Sequence, residues 1–339
     1  MMRKKILITG GAGFIGGNFV QYMVNKYPEY EIYNLDLMTY AGDLTKHQSI
    51  EKMGNYHFVK ADITDVDTII PLFEKEKFDY VVHFAAESHV DRSIKNPGIF
   101  VQTNVVGTHV LLEAAKETKV QKFVHISTDE VYGQLDLNPT SYFTEDTPLQ
   151  PNSPYSASKA SSDLLVRSYH ETYDLPINIT RCSNNYGPFH FPEKLIPLTI
   201  TRVLNDQKVP IYGVGNHIRD WLHVYDHCKA IELVLHKGIN GEVYNIGGHN
   251  ERTNLEVAKT IIHKLGKSEK LIEFAPDRLG HDLRYAIDPQ KIERLGWKPT
   301  YTFESGIQQT INWYLEHKYW WQKIISGDYR NYFDRQYSL

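Results

Sequence analysis

Along the first 130 residues the chain alternates between two hydrophobic periods. Short apolar runs at 6–8, 32–35, 58–59, 80–84 and 123–126 are continuous rather than alternating, and Gly, Asp or Ser bounds them. That is the pattern of strands buried on both faces of a parallel sheet. Between them, segments 16–26, 65–75 and 104–117 are amphipathic with helical spacing; in the last, Val105, Thr108, Leu112 and Ala115 fall on one stripe. Strand, helix, strand in regular succession predicts an α/β fold, a doubly wound parallel Rossmann sheet with helices on both faces. A helix is expected from Tyr155 to about Tyr173, then a strand in INITR and the loop SNNYGPFHFPEKLIP. Beyond it the rhythm weakens, and helices expected over 255–265 and 303–316 mix with short strands. The expected division is a Rossmann domain over 1–187, joined by about 218–247, and a smaller mixed α/β domain from 188–217 and 248–330.

The first strand runs into ILITGGAGFIG, which sets Gly10, Gly13 and Gly16 at the strand–helix turn. One glycine permits the tight turn, one lets the backbone approach a pyrophosphate, and one lets the helix lie close on the strand. A helix start then offers unpaired N–H groups to phosphates. A plain strand–helix turn can hold three glycines as well, so the acid that follows decides. Asp36 stands 20 residues beyond Gly16 at the end of the second strand, where a carboxylate accepts hydrogen bonds from ribose hydroxyls. It would repel a 2′-phosphate, and Leu37 brings no compensating cation, so NAD is expected rather than NADP. Asp62, closing the third strand, suits either a helix cap or an adenine contact.

Two constellations carry chemistry. In YSASK, Tyr155 and Lys159 lie four apart on an expected helix, hence on one face. A free phenol titrates near pH ~10; a neighbouring ammonium, aided by the positive nicotinamide ring, is expected to lower that value and make a base. In HISTDEVYG a buried strand ends and presents Ser127, Thr128, Asp129 and Glu130. Ligands of open parallel sheets bind beyond the carboxyl ends of the strands. Thr128 can hydrogen-bond a substrate hydroxyl. Two carboxyls held together resist joint ionisation, so one acid and one base stand side by side. Alone, each signal also fits a surface helix or a solvated turn.

Bulk properties remove other classes. A formal net charge of -4 gives no footprint for nucleic acid. No apolar run reaches the roughly 18 residues of a membrane span, and no signal-peptide core is visible. Two cysteines without C-x-x-C spacing indicate a reduced, cytoplasmic setting. Sixteen histidines raise the question of metal, but the best-spaced pair, His223 and His227, lacks an H-E-x-x-H frame, and no metal site is expected.

Taken in order, TGGAGFIG, AAESHVDRS, STDEVYG, YSASK, SNNYGPFHFPEKLIP, IRDWLHV, YNIGGHN and DRLGHDLRY resemble the dTDP-glucose 4,6-dehydratases, extended short-chain dehydrogenase/reductases, from about residue 5 to 315. The glycine turn and Tyr-Lys pair belong to the whole superfamily. The Asp129–Glu130 pair is more specific, because similar epimerases generally lack it. The resemblance implies a redox-neutral reaction of nucleotide-sugar metabolism, serving deoxysugars such as rhamnose. Tyr155 would take the proton of the sugar's carbon 4 hydroxyl as hydride passes to NAD. Glu130 would remove the carbon 5 proton, protonated Asp129 would help the carbon 6 hydroxyl leave, and hydride would return to carbon 6.

It also implies NAD contacts from Phe14, Ile15, Asp36, Leu37, Met38, Thr39, Asp62, Ile63, Phe84, Ala85, Ala86, Ser88, Thr103 and Asn185, beside Tyr155 and Lys159. Substrate contacts implied are Ser88, Thr128, Asn184, Lys194, Leu195, Pro210, Ile211, Tyr212, Arg219, Asn254, Asp277, Arg278 and His281. Arg219 has a physical case as a guanidinium fork on the diphosphate, against a surface ion pair with Asp220. Met38, Asp43 and Leu279 depart from the family's usual leucine, asparagine and proline, and Leu279 lies in the proposed nucleotide loop. A homodimer through helices 104–116 and 156–169 is implied too. The alternatives are a nucleotide-sugar 4-epimerase, a 4,6-dehydratase for another nucleoside diphosphate sugar, and an NAD-binding sensor without activity.

Overall fold

The apolar runs become strands in a computed structural model that describes residues 3–138 and 140–326. The first six strands are β1 (Lys4–Thr9), β2 (Tyr30–Asp36), β3 (Tyr56–Lys60), β4 (Tyr80–His83), β5 (Lys122–Thr128) and β6 (Ile177–Cys182). The next six are β7 (Asn184–Tyr186), β8 (Val209–Tyr212), β9 (Ile218–His223), β10 (Val243–Ile246), β11 (Glu251–Thr253) and β12 (Ile272–Ala275). Seven of them form one parallel sheet in the order β10-β6-β5-β4-β1-β2-β3. The order reverses at β1 and β4, and the carboxyl ends there open the crevice in which such sheets bind ligands.

Side chains alternate between the two faces because the strand period is 2. Ile6, Ile8, Val82 and Val124 join Phe19, Val20, Ile231 and Tyr244 on one side. Leu7, Val81, Phe123 and Ile177 join Phe73, Leu111 and Val166 on the other. Each fully buried aliphatic contributes roughly 1.5–3 kcal/mol, which is why both faces need helices. The helix Phe14–Lys26 starts two residues earlier than its periodicity suggested, since Gly13 is its N-cap. The helix expected over 104–117 is α-helical only from Gly107 to Thr118, and a π-helical segment, Val101–Val106, precedes it. Such wider turns concentrate at functional sites. This one carries Asn104, whose side chain bonds the backbone of Glu87 in both directions, at 2.8 and 3.0 Å, and reaches Ser158 Oγ at 2.8 Å.

Away from the main sheet, β7, β9 and β11 form a second one, and β8 pairs with β12. The helices Leu195–Leu204, Asn254–Lys264 and Phe303–Glu316 pack beside them. Tyr186, Ile196, Ile200, Trp221, Val257, Ile261 and Phe303 fill the core between them. Residues 327–330 of the expected smaller domain lie outside the described residues.

Candidate active site

A single cleft of about 480 Å³ runs from the glycine turn to the β8 and β9 side of the molecule. At its floor Gly10 has φ 71° and donates its N–H to Leu35 O at 2.8 Å. A Cβ on Gly10 would lie 2.6 Å from the Ala85 nitrogen, and one on Gly16 would lie 2.4 Å from Gly10 O. The turn therefore has no room for a side chain, and the uncapped first turn of the helix Phe14–Lys26 faces the cleft. Lys46, unnoticed in the sequence, is buried in the cleft lining and holds the turn by donating to Ala12 O and Gly13 O at 2.9 and 2.7 Å. Asp36 accepts the N–H of Ala12 on Oδ2 at 2.9 Å and of Met38 on Oδ1 at 2.7 Å. A glycine cradle, an open helix start and a carboxylate at the end of β2 fit a dinucleotide of the NAD type.

Most residues expected to contact the cofactor line this cleft: Phe14, Ile15, Leu37, Thr39, Asp62, Ile63, Phe84, Ala85, Ala86, Ser88 and Asn185 among them. Met38 and Thr103 do not. Met38 holds φ 62° and supplies only its N–H to Asp36, while Thr103 sits in the π segment next to Asn104. Asp62 caps no helix; its Oδ1 accepts both the N–H and the hydroxyl of Thr64 at 2.8 Å, and the helix Val66–Glu76 begins at Asp65.

The groups expected to react meet where β5 ends. Ser153 caps the helix Pro154–Tyr173 through a reciprocal box with Ser156, which fixes Tyr155 in its first turn. Tyr155 and Lys159 both line the cleft and are nearly buried. The Nζ of Lys159 donates to Ile126 O at 2.8 Å and lies 3.3 Å from His125 Nε2, and burial brings its own pKa down to about 8. The Tyr155 phenol is held well above its ordinary value, first by burial and then by the Glu130 charge, against a hydrogen bond to Thr128.

Asp129 and Glu130 differ in the way the chemistry asks. Asp129 is 2% exposed, its Oδ2 has no hydrogen-bond partner, and burial and then Glu130 hold its carboxyl well above the carboxylate range. Glu130 is also raised by burial, but Arg278, Arg219 and Lys194 pull it back. Two carboxyls in different surroundings make one proton donor and one proton acceptor.

At the far end stand Lys194, Leu195, Pro210, Ile211, Tyr212, Arg219, Asn254, Arg278 and His281, with Asn184, Thr128 and Ser88 nearer the centre. Asp277 lies outside the lining and pairs with His281 instead, Nδ1 to Oδ1 at 2.6 Å. Arg219 is buried and makes no ion pair with Asp220, which accepts the N–H groups of Gly248 and Asn250, both at 2.6 Å. Carbonyl oxygens of Ile218 and Asp282 hold the Arg219 guanidinium at 2.7 and 2.8 Å, 4.1 Å above the Tyr285 ring. Tyr285, like Trp320 and Cys182, lines the cleft without having been expected there. Trp320 gave no signal, because its place depends on a hydrogen bond of 2.5 Å to Asp43, 277 residues away. The histidines His223 and His227 are buried apart on Gln309 and Asn185.

Comparison with known proteins agrees with this geometry. The family described as GDP-mannose 4,6 dehydratase matches residues 7–310. The chain is 52% identical over 343 residues to the dTDP-glucose 4,6-dehydratase of Xanthomonas campestris pv. campestris, spanning 96% of this chain and 97% of that one. It superposes on the crystal structure of the Bacillus anthracis dTDP-glucose 4,6-dehydratase in complex with NAD with a TM-score of 0.88, at 51% identity over 95% of this chain and 99% of that one. Its TM-score against the dTDP-glucose 4,6-dehydratase of Streptomyces venezuelae, also with NAD bound, is 0.91, at 46% identity over 94% and 99% of the two chains.

Proposed function

The chain belongs to the family of NAD-dependent dTDP-glucose 4,6-dehydratases, and on that premise we propose how its residues divide the reaction. The reaction takes water out of dTDP-glucose and leaves dTDP-4-keto-6-deoxyglucose, with no net oxidation. NAD, when bound, supplies the oxidation of the sugar alcohol at carbon 4 and the reduction that later completes carbon 6. Tyr155 takes the carbon 4 hydroxyl proton; the raised pKa of its phenol in the bare chain means that cofactor charge must bring it into working range. Lys159, anchored on Ile126 O, keeps a cation one helical turn away. Oxidation acidifies carbon 5, and Glu130, the more readily ionised of the two acids, removes that proton. Asp129 then gives its proton to the leaving carbon 6 hydroxyl, so water departs rather than hydroxide. Arg219, presented edge-on by two carbonyls and Tyr285, clamps the diphosphate with Lys194 and Arg278 nearby.

The observation that carries this reading is the buried Asp129, its Oδ2 without a hydrogen-bond partner, beside Glu130 in the cleft that also holds Tyr155. Incubation with dTDP-glucose should give the keto-deoxy sugar without added NADH, and Glu130→Gln should allow NAD reduction while blocking solvent proton exchange at carbon 5. Recovery of only the carbon 4 epimer, or turnover of another nucleotide glucose in preference, would overturn the assignment.

The same reading includes the division into a Rossmann domain and a smaller substrate domain, a cytoplasmic location and a homodimer. Cys182 and Cys228 are free and buried, which suits a reduced compartment. No helix among the described residues is long and apolar enough to cross a membrane. For the dimer, Leu164 is 57% exposed on the helix Pro154–Tyr173 and Val101 is 53% exposed on the π segment. Both belong on a covered face, and sedimentation should give twice the chain mass, falling to one for Leu164→Arg.

A further inference from the structure

A buried ion pair next to Lys159 has no part in the reaction above. Tyr155, Lys159 and Asp163 follow one another at intervals of four on the helix Pro154–Tyr173, so they lie on one side of it. Asp163 is 1% exposed, His125 on β5 is fully buried, and Arg181 on β6 is 5% exposed. Arg181 Nε donates to Asp163 Oδ2 at 2.9 Å, and its Nη1 donates to the Tyr132 hydroxyl at 2.9 Å. The other carboxylate oxygen, Oδ1, has no hydrogen bond and stands 3.5 Å from His125 Nε2. That same nitrogen is 3.3 Å from Lys159 Nζ.

We propose that Asp163, acting through His125, is a positioning residue of the reaction: it keeps Lys159 a cation and holds its ammonium at the cleft that Tyr155 also lines. Asp163 matters to turnover only through the role given above to Lys159, on which this reading rests. Arginine–carboxylate pairs are frequently two-pronged. Here only Nε reaches the carboxylate, the second arm goes to Tyr132, and the free oxygen faces the nitrogen that faces Lys159. An ammonium carries three hydrogens and no lone pair. One goes to Ile126 O and one to His125 Nε2, which must therefore accept; the third is left for the cleft that Lys159 lines.

Charge supports the same arrangement. Burial, then Lys159, holds His125 down to about 4, so the imidazole stays neutral and able to accept. Burial brings Lys159 to about 8, and Asp163 is the strongest charge opposing that loss, followed by Cys182. Against burial, His125, Arg181 and Lys159 keep Asp163 below the ordinary carboxylate range. The other titratable groups about this helix do different work. His83 on β4 is held at both nitrogens by the Thr9 and Thr108 hydroxyls, at 2.7 and 3.0 Å. Asp129, Glu130 and Tyr132 follow β5, and Asp91, Arg92 and Lys95 lie on the helix Val90–Lys95. On the helix Gly107–Thr118, His109 and Glu113 bond Tyr169 beyond Asp163, and Lys116 pairs with Glu113.

The test follows NAD reduction in single turnovers of NAD-loaded enzyme with dTDP-glucose across alkaline pH. In the native enzyme the rate should fall as Lys159 loses its proton. Asp163→Asn removes the charge that keeps that proton, so the falling limb should move to lower pH by about one unit or more, with KM for dTDP-glucose unchanged. Asp163→Glu returns a carboxylate to the same side of the helix and should bring the limb back most of the way. Asp163→Asn leaves Arg181 a buried cation without its carboxylate. If that variant does not fold, His125→Leu removes the bridge without stranding a charge, and its limb should move the same way. A limb at the native pH in the folded variant would overturn the proposal, as would equal displacement in Asp163→Asn and Asp163→Glu. Lys159→Met should slow NAD reduction at least about 10²-fold at every pH. A native rate there would refute the role given to Lys159 itself. A slow Lys159→Met beside a native limb in Asp163→Asn would refute only its link to Asp163.

Discussion

Replacing Asp129 by Asn should make the protein more stable and far less active. The folded Asp129 carboxyl is held well above its ordinary range by burial and by Glu130, whereas in the unfolded chain it ionises near pH ~4. Above that pH the unfolded state binds fewer protons than the folded one, so stability falls as pH rises. The slope is ~1.4 kcal/mol per pH unit, and it persists until the folded carboxyl ionises as well. Asparagine has no proton to retain. The stability of the variant relative to the native enzyme should therefore grow with pH across that window, at roughly 2 °C of Tm per kcal/mol for a chain of this size. Loss of a general acid lowers kcat by about 10²- to 10⁴-fold, or about 3–5 kcal/mol of barrier.

The proposed division of roles gives oxidation at carbon 4 to Tyr155, not Asp129, so single turnovers of Asp129→Asn should still show rapid NADH formation followed by stalled loss of water. The assay pairs melting curves of both proteins between pH 5 and 8 with that single-turnover trace. A Tm difference that is constant with pH, or one that favours the native enzyme, would show Asp129 ionised in the fold. Native-rate elimination would show that another group gives the proton.

Tyr155→Phe should lower the rate of NAD reduction by at least about 10²-fold with little change in substrate affinity, measured by stopped-flow absorbance. Because burial and Glu130 raise the phenol in the bare chain, its ionisation step in ultraviolet difference spectra should move to lower pH on NAD binding; an unmoved step would refute cofactor activation. Gly10→Ala combines a strained positive φ with a Cβ 2.6 Å from Ala85 N. It should cost about 1–3 kcal/mol of stability and yield protein that elutes from gel filtration without NAD. Arg219→Lys loses the fork and the Tyr285 stack, and KM for dTDP-glucose should rise about 10- to 100-fold, more than kcat falls.

Much of this site was legible because local physics writes it into the chain. A backbone at φ 71° that touches another backbone requires glycine, so the turn at Gly10 to Gly16 announces itself. An acid at the end of β2, a Tyr-Lys pair one helical turn apart and an acid pair at the end of β5 are placed by strand and helix geometry alone. The helix at 104–117 was misread at its start, because a π turn has the same apolar stripe as an α-helix and differs only in what Asn104 reaches across the fold.

The protonation states were invisible for a related reason. From spacing, Lys159 was expected to activate Tyr155. In the fold the lysine also donates to Ile126 O, and burial, a property of the packed whole, raises the phenol of the bare chain. Lys46 on the glycine turn, Trp320 on Asp43 and His217 on Asp277 join residues 33, 277 and 60 positions apart. The chain by itself determined the sheet, the cofactor turn and where the candidate reacting groups stand, since those follow from periodicity and backbone conformation. Only the tertiary structure decided how deeply those groups are buried and which distant side chains hold them, since desolvation and contact exist only once the segments pack.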